Sequence, residues 1–90
     1  MEGITLVYFL QSVSNPDRFY VGITLKKRKD ERLEEHNRGQ TQSTRGYVPW
    51  VCIHTEVCNT KSEAQKREWY LKSIRGYRER KDICETYRKY

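Results

Sequence analysis

No stretch of this chain is apolar over the ~18 residues that a membrane-spanning helix needs, and none of its 90 residues belongs to a repeat, a low-complexity tract or a linker. The expectation is one soluble domain over residues 1–90, large enough to fold alone but small enough to be only marginally stable. Cysteine is scarce. Three thiols, an odd number without framework spacing, fit a reducing compartment better than a disulfide scaffold. Met1-Glu2-Gly3 opens directly into a strand with neither a positive segment nor a long apolar one. No secretory signal is therefore expected, and a cytoplasmic location follows.

Charge is abundant. With 36% hydrophobic and 33% charged residues the composition is that of a globular protein rather than a disordered one. The net charge of +6 points to a polyanionic partner, since lysine and arginine gain by displacing the counterions condensed on phosphates. Its distribution is uneven. Residues 1–60 carry eight basic and seven acidic side chains, net +1, whereas 61–90 carry ten and five, net +5. The bland alternative is a solvated pair of helices with ordinary surface charge.

Periodicity and punctuation divide the chain. Ile4 to Leu10 and Phe19 to Thr24 are β-branched and aromatic, with the turn residues Ser14-Asn15-Pro16-Asp17 between them, so the two segments should pair as an antiparallel hairpin. Residues 25–38 read as a mostly charged helix stopped by Gly39. Pro49 permits entry to a third strand from Trp50 to Val57, with Val51, Ile53, Thr55 and Val57 alternating against Cys52, His54, Glu56 and Cys58. Thr60-Lys61-Ser62-Glu63 reads as a capping box that starts a helix reaching Ile74, with Ala64, Tyr70 or Trp69, Leu71 and Ile74 facing the sheet. A last short helix spans Arg78 to Tyr87. The expected fold is α+β in the order β-β-α-β-α-α.

The alternation of a strand lets Tyr8 and Tyr20 project from one face of the hairpin if the register suits. Arg32 and His36 are four positions apart, on one helix face. An arginine offers a phosphate two parallel donors. A histidine near a helix C-terminus is favoured in its protonated form by the dipole, so His36 is expected to donate to a phosphate oxygen or to orient water. The alternatives stay open: packed tyrosines with hydroxyls in water, and an exposed basic ridge with Arg28.

Taken in order, Leu6-Val7-Tyr8, Tyr20-Val21-Gly22, the Arg32-Leu33-Glu34-Glu35-His36 helix and Glu68 within Ala64-Gln65-Lys66-Arg67-Glu68 resemble the motifs of the GIY-YIG nuclease family. The resemblance spans residues 5–72. It implies a three-stranded antiparallel sheet flanked by helices and a metal-dependent DNA endonuclease, structure-selective or weakly sequence-specific. It also implies a catalytic set of Tyr8, Tyr20, Arg32, His36 and Glu68, with Glu68 as the ligand of Mg²⁺ or Mn²⁺. One carboxylate is a reasonable protein share for an ion that keeps most of its waters. A surface pair of Glu68 with Lys72 explains that residue equally well.

Two positions depart from the family. Ile23 stands where some members carry a lysine after the glycine, so that charge is missing or passes to Lys26 or Lys27. Arg80 stands near the place where others have an asparagine. The spacing from Tyr20 to Arg32 is also about two residues longer than in compact relatives, which leaves Arg28 as the alternative to Arg32. These departures keep a second function alive, a nucleic-acid-binding module with little or no activity; a protein-interaction domain is a remote third.

DNA contacts are expected from Arg28, Lys72 and Arg75, and from a gripping loop over Gly39 to Trp50 that offers Thr44 and Arg45, with Tyr47 or Trp50 free to stack on a base. Trp50 in the core is the plainer reading. Strict alternation would put Cys52, His54 and Cys58 on one strand face, but at uneven distances and without a fourth ligand, so zinc is disfavoured. A monomer is plausible.

Overall fold

The computed structural model describes residues 3–90; Met1 and Glu2, read above as a leaderless start, lie outside the described residues. Two strands, β1 (Thr5–Ser12) and β2 (Phe19–Leu25), form the expected hairpin. Helix α1 (Lys29–Asn37), β3 (Trp50–Cys58), α2 (Lys61–Lys72) and α3 (Tyr77–Tyr87) follow. This is an α+β fold in the order β-β-α-β-α-α. The sheet is antiparallel throughout, with β1 between the other two in the spatial order β2-β1-β3. No helix among the described residues is long and apolar enough to cross a membrane.

Both faces of β1 are buried, because its alternate residues feed two separate cores. Val7 and Phe9 join Val21, Ala64, Leu71 and Cys84 under α2 and α3. Tyr8 and Leu10 join Trp50 on the opposite face, with Tyr20, Leu33 and Cys52 packed around them. A strand buried on both sides reads as a continuous apolar run. The run Leu6-Val7-Tyr8-Phe9-Leu10 is of that kind.

Several expectations need correcting. Helix 25–38 divides into a 3₁₀ turn at Lys26–Arg28 and α1 proper, so the extra residues between Tyr20 and Arg32 are taken up before the helix starts. The first strand runs two residues past Leu10. Gln11 and Ser12 are buried because their side chains are satisfied: the Gln11 amide donates to the Pro16 carbonyl at 2.9 Å and accepts from Lys89 N–H at 2.8 Å. Helix α2 stops at Lys72 rather than Ile74. There the chain turns extended at Ser73, whose hydroxyl donates to the Tyr70 carbonyl at 2.6 Å.

The capping box closes as expected at its first bond, Glu63 N–H donating to Thr60 Oγ1 at 3.1 Å, while the Glu63 carboxylate accepts from Asn59 N–H at 3.2 Å. The predicted apolar stripe of α2 is wrong at three positions. Trp69, Tyr70 and Ile74 are exposed, and the helix buries only Ala64 and Leu71. Arg67 supplies part of the missing packing by pairing with Glu56 of β3 at 2.7 Å and with Glu79 of α3.

β3 departs from strict alternation. Its pairing with β1 slips between Phe9 and Leu10, so that His54 opposes Phe9, Cys52 opposes Leu10, and Ile53 is the extra residue of a bulge. Positions 54, 56 and 58 therefore lie on the α2–α3 face, whereas Cys52 and Trp50 lie on the Tyr8 face.

Candidate active site

Register builds the floor of the site. Tyr8 pairs directly with Gly22 and Leu10 with Tyr20, so both phenols rise from the same face of the hairpin, ring centroids 6.2 Å apart. Gly22 is there for space. A Cβ at this position would stand 2.6 Å from Tyr8 Oη and 2.8 Å from Tyr20 Cε2, inside van der Waals contact. The glycine after Tyr20-Val21 thus has a steric reason: the Tyr8 ring lies over it.

Helix α1 covers this face with His36, which is wholly buried. Its Nε2 lies 2.8 Å from Tyr8 Oη and its Nδ1 lies 2.8 Å from Thr44 Oγ1. Thr44 Oγ1 can in turn donate to the Thr41 carbonyl at 3.4 Å. One proton assignment satisfies the chain: Thr44 donates to the carbonyl, His36 Nδ1–H donates to Thr44, and Tyr8 donates to the bare Nε2. This corrects the expectation of a protonated His36 on the substrate. Burial first, and the Arg32 charge second, push its pKa down to about 4. The helix dipole is overridden because desolvation of a buried cation is the larger effect.

Burial, and then the neighbouring Tyr20, push the Tyr8 phenol up to about 12, while the Arg32 guanidinium beside it works the other way. Tyr8 is a neutral hydrogen-bond donor at neutral pH. Arg32 is held by Glu35 at 2.9 Å, and the same carboxylate takes Arg28 at 2.9 Å. Arg32 is therefore the guanidinium at the phenols and Arg28 stands farther out. Glu35 was missed in the sequence, although its spacing of three from Arg32 is that of a helix pair.

Glu68 is not the surface residue its i,i+4 lysine suggests. It lies four residues after Ala64 and three before Leu71, on the buried stripe of α2, and its side chain is only 17% exposed. Lys72 Nζ approaches its carboxylate at 3.4 Å and sits 5.2 Å from the centroid of the Tyr20 ring. The Glu68 charge is close enough to raise the cost of a Tyr8 phenolate. Thus Tyr8, Tyr20, Arg32 and Glu68 converge, and Lys72, expected only as a DNA contact, joins them. Ile23 pairs with Val7 and packs on the other face, so the cation at Tyr20 comes from α2 rather than from Lys26 or Lys27.

Two residues of the expected gripping loop are structural instead. Thr44 and Trp50 are buried, and the indole Nε1–H donates to the Thr44 carbonyl at 2.8 Å. Arg45 and Arg75 remain exposed, outside the converging set. Among the described residues no three His, Cys, Asp or Glu side chains form a metal cluster, and the bulge separates Cys52 from His54 and Cys58. A lone, mostly covered carboxylate fits a hard divalent ion that keeps most of its waters, not zinc.

Such a fold and site define a small α+β domain with a site of catalytic type on one face of its sheet. The profile of the GIY-YIG catalytic domain matches residues 5–81. The chain is 36% identical over 72 residues to a UPF0213 protein of Natronomonas pharaonis, covering 78% of this chain and 82% of that one. It is 39% identical over 57 residues to a UPF0213 protein of Halobacterium salinarum, covering 62% and 71%. The solution NMR structure of a UPF0213 protein from Bacillus halodurans superposes with a TM-score of 0.51 at 25% identity, over 96% of this chain and 87% of that one. The chain belongs to the GIY-YIG family, a family of nuclease catalytic domains.

Proposed function

We propose that the chain is a divalent-metal-dependent endonuclease that hydrolyses phosphodiester bonds in DNA, structure-selective or weakly sequence-specific. The observation that carries this reading is Glu68: a carboxylate drawn into the apolar stripe of α2, close to Tyr8, with Lys72 its one partner among the described residues. Burying a charge so sparsely costs stability unless a function retains it. Glu68 would hold Mg²⁺ or Mn²⁺. The ion would supply charge neutralisation at the phosphate and a more acidic water.

The protein groups divide the remaining work. Arg32, fixed in direction by Glu35, offers parallel donors to the equatorial oxygens as charge builds at phosphorus. Tyr8 gives its single proton to His36 Nε2 and offers the site only its lone pairs, suited to orienting the attacking water as an acceptor. Tyr20 makes no side-chain hydrogen bond among the described residues and lies beside Lys72, so it would act on the attacking water as a phenolate, after releasing its own proton to solvent.

A binding module that cuts nothing is the second reading, supported by the high cost of ionising Tyr8 and by Arg80 in place of an amide. Branched and duplex DNA incubated with Mg²⁺, Mn²⁺ or chelator separates the two. Metal-dependent cleavage that disappears with Glu68→Gln is the expected result; binding without cleavage in either metal establishes the module.

A further inference from the structure

The loop of residues 39–50 buries Thr44 and Trp50 and offers Arg45 as its one exposed cation, whereas the open edge of β2 is flanked by cations at both ends. β2 is an outer strand, so its outward backbone groups have no strand partner. At its Phe19–Val21 end lies a groove of about 600 Å³ that presents Arg18, Lys72, Tyr77, Arg80 and Lys81. Its two carboxylates, Asp17 and Glu85, are both taken by Arg88, at 3.1 and 3.4 Å. At the Ile23–Leu25 end a second groove of about 420 Å³ presents Arg28, Arg32 and Lys61, with no carboxylate among the described residues that line it; the two arginines share Glu35, which lies outside the lining. The catalytic face joins them: Tyr20 and Lys72 belong to the first groove and Arg32 to the second.

We infer that the β2 edge is the floor of a track for one nucleic-acid strand, running from α3, across Tyr20 and Arg32, to the start of α2. This rests on the nuclease reading for its central phosphate but not for its two ends. Seven strand residues span roughly 20 Å, the rise of about six nucleotides of a duplex strand, so both grooves meet the same strand on opposite sides of the reacting phosphate. Tyr77, 53% exposed with the Arg80 guanidinium 5.5 Å from its ring centroid, gives the larger groove a surface on which a base can stack. The occupant is a polyphosphate strand rather than an acidic peptide, because an ordered line of cations ending on a stacking ring matches phosphates and bases together.

The test uses the full chain without metal and oligothymidylates of increasing length, followed by amide chemical shifts. A dinucleotide is expected to move Tyr20, Gly22 and Lys72 alone; an octanucleotide is expected to spread the shifts to Arg80 and Lys81 on one side and Lys61 on the other, leaving residues 39–50 still. Arg80→Glu with Lys81→Glu should remove about tenfold of the octanucleotide's affinity and none of the dinucleotide's, since the latter does not reach α3. Lys61→Glu, on a different element, should do the same independently. The track is overturned if the spread follows residues 39–50, if both variants weaken short and long oligomers alike, or if polyglutamate produces the same shifts. A chain that shows the expected spread but cuts nothing loses the nuclease reading and keeps the track; one that cuts with metal but spreads over residues 39–50 does the reverse.

Discussion

Tyr8 Oη and the wholly buried His36 Nε2 lie 2.8 Å apart, and each fixes what the other can do. The imidazole must stay neutral to accept, and the phenol must keep its proton to donate. A neutral, buried histidine has a consequence for stability. Its folded pKa of about 4 lies below the ordinary 6.5, so the unfolded chain binds more protons between those values. Stability is then fully present above about pH 6.5 and falls as pH drops toward 4, by on the order of 3 kcal/mol from this group. Urea unfolding from pH 7 to 4 should show this slope in the native chain, and a shallower one in His36→Gln.

Thr44 carries the other end of the imidazole. Thr44→Val removes the acceptor of His36 Nδ1–H and should cost about 1–3 kcal/mol as an unmet buried donor. Thr44→Ser keeps the oxygen and should recover most of it. Nitrogen chemical shifts of His36 would report the change of tautomer, which a loss of packing alone leaves in place.

The two tyrosines should not behave alike when their hydroxyls are removed. Tyr8→Phe leaves His36 Nε2 without a donor, so it should lower both cleavage and stability. Tyr20→Phe breaks no side-chain hydrogen bond among the described residues, so it should lower single-turnover cleavage at least about tenfold at unchanged unfolding midpoint. Equal stability losses in both variants would show that the phenol roles are misassigned.

Gly22→Ala places a methyl 2.6 Å from Tyr8 Oη. The ring cannot yield without breaking its bond to His36, so a cost of about 1–3 kcal/mol is expected. The measurement is thermal unfolding together with the Tyr8 ring resonances.

Arg32→Ala should reduce the cleavage rate far more than DNA affinity, because an interaction that strengthens at the barrier acts on the chemical step. Paired binding isotherms and single-turnover rates check it. Equal losses in both quantities would assign Arg32 to ground-state binding.

The strands and helices were legible because hydrophobic period and turn residues act locally. The hairpin around Ser14–Asp17 and the Thr60 cap needed only neighbours in sequence to be seen. The two phenols on one face followed from a period of two. What stayed hidden depends on packing between distant segments. Nothing in the spacing of Arg32 and His36 says that one points to the substrate and the other into the core, since that is decided by Thr44 and Tyr8 arriving from elsewhere. Glu68 looked like half of a surface pair because its burial is set by the sheet beneath α2. Trp69, Tyr70 and Ile74 looked like core on composition alone, yet the helix face against the sheet is already filled by Ala64, Glu68 and Leu71.

Ile53 stands to its strand as an inserted base stands to a reading frame. The alternation changes phase across it: Trp50 and Cys52 before it share the Tyr8 face, while His54, Glu56 and Cys58 after it share the face under α2 and α3. Deleting Ile53 alone would leave a regular ladder with Trp50 and Cys52 still on the Tyr8 face, whereas a one-residue change elsewhere between Trp50 and His54, with the bulge kept, would turn Trp50 away and take with it the indole that pins the Thr44 carbonyl. The face that Trp50 presents therefore depends on the residue count on either side of the bulge, and length variation in β3 should be confined to position 53 and to the strand's ends.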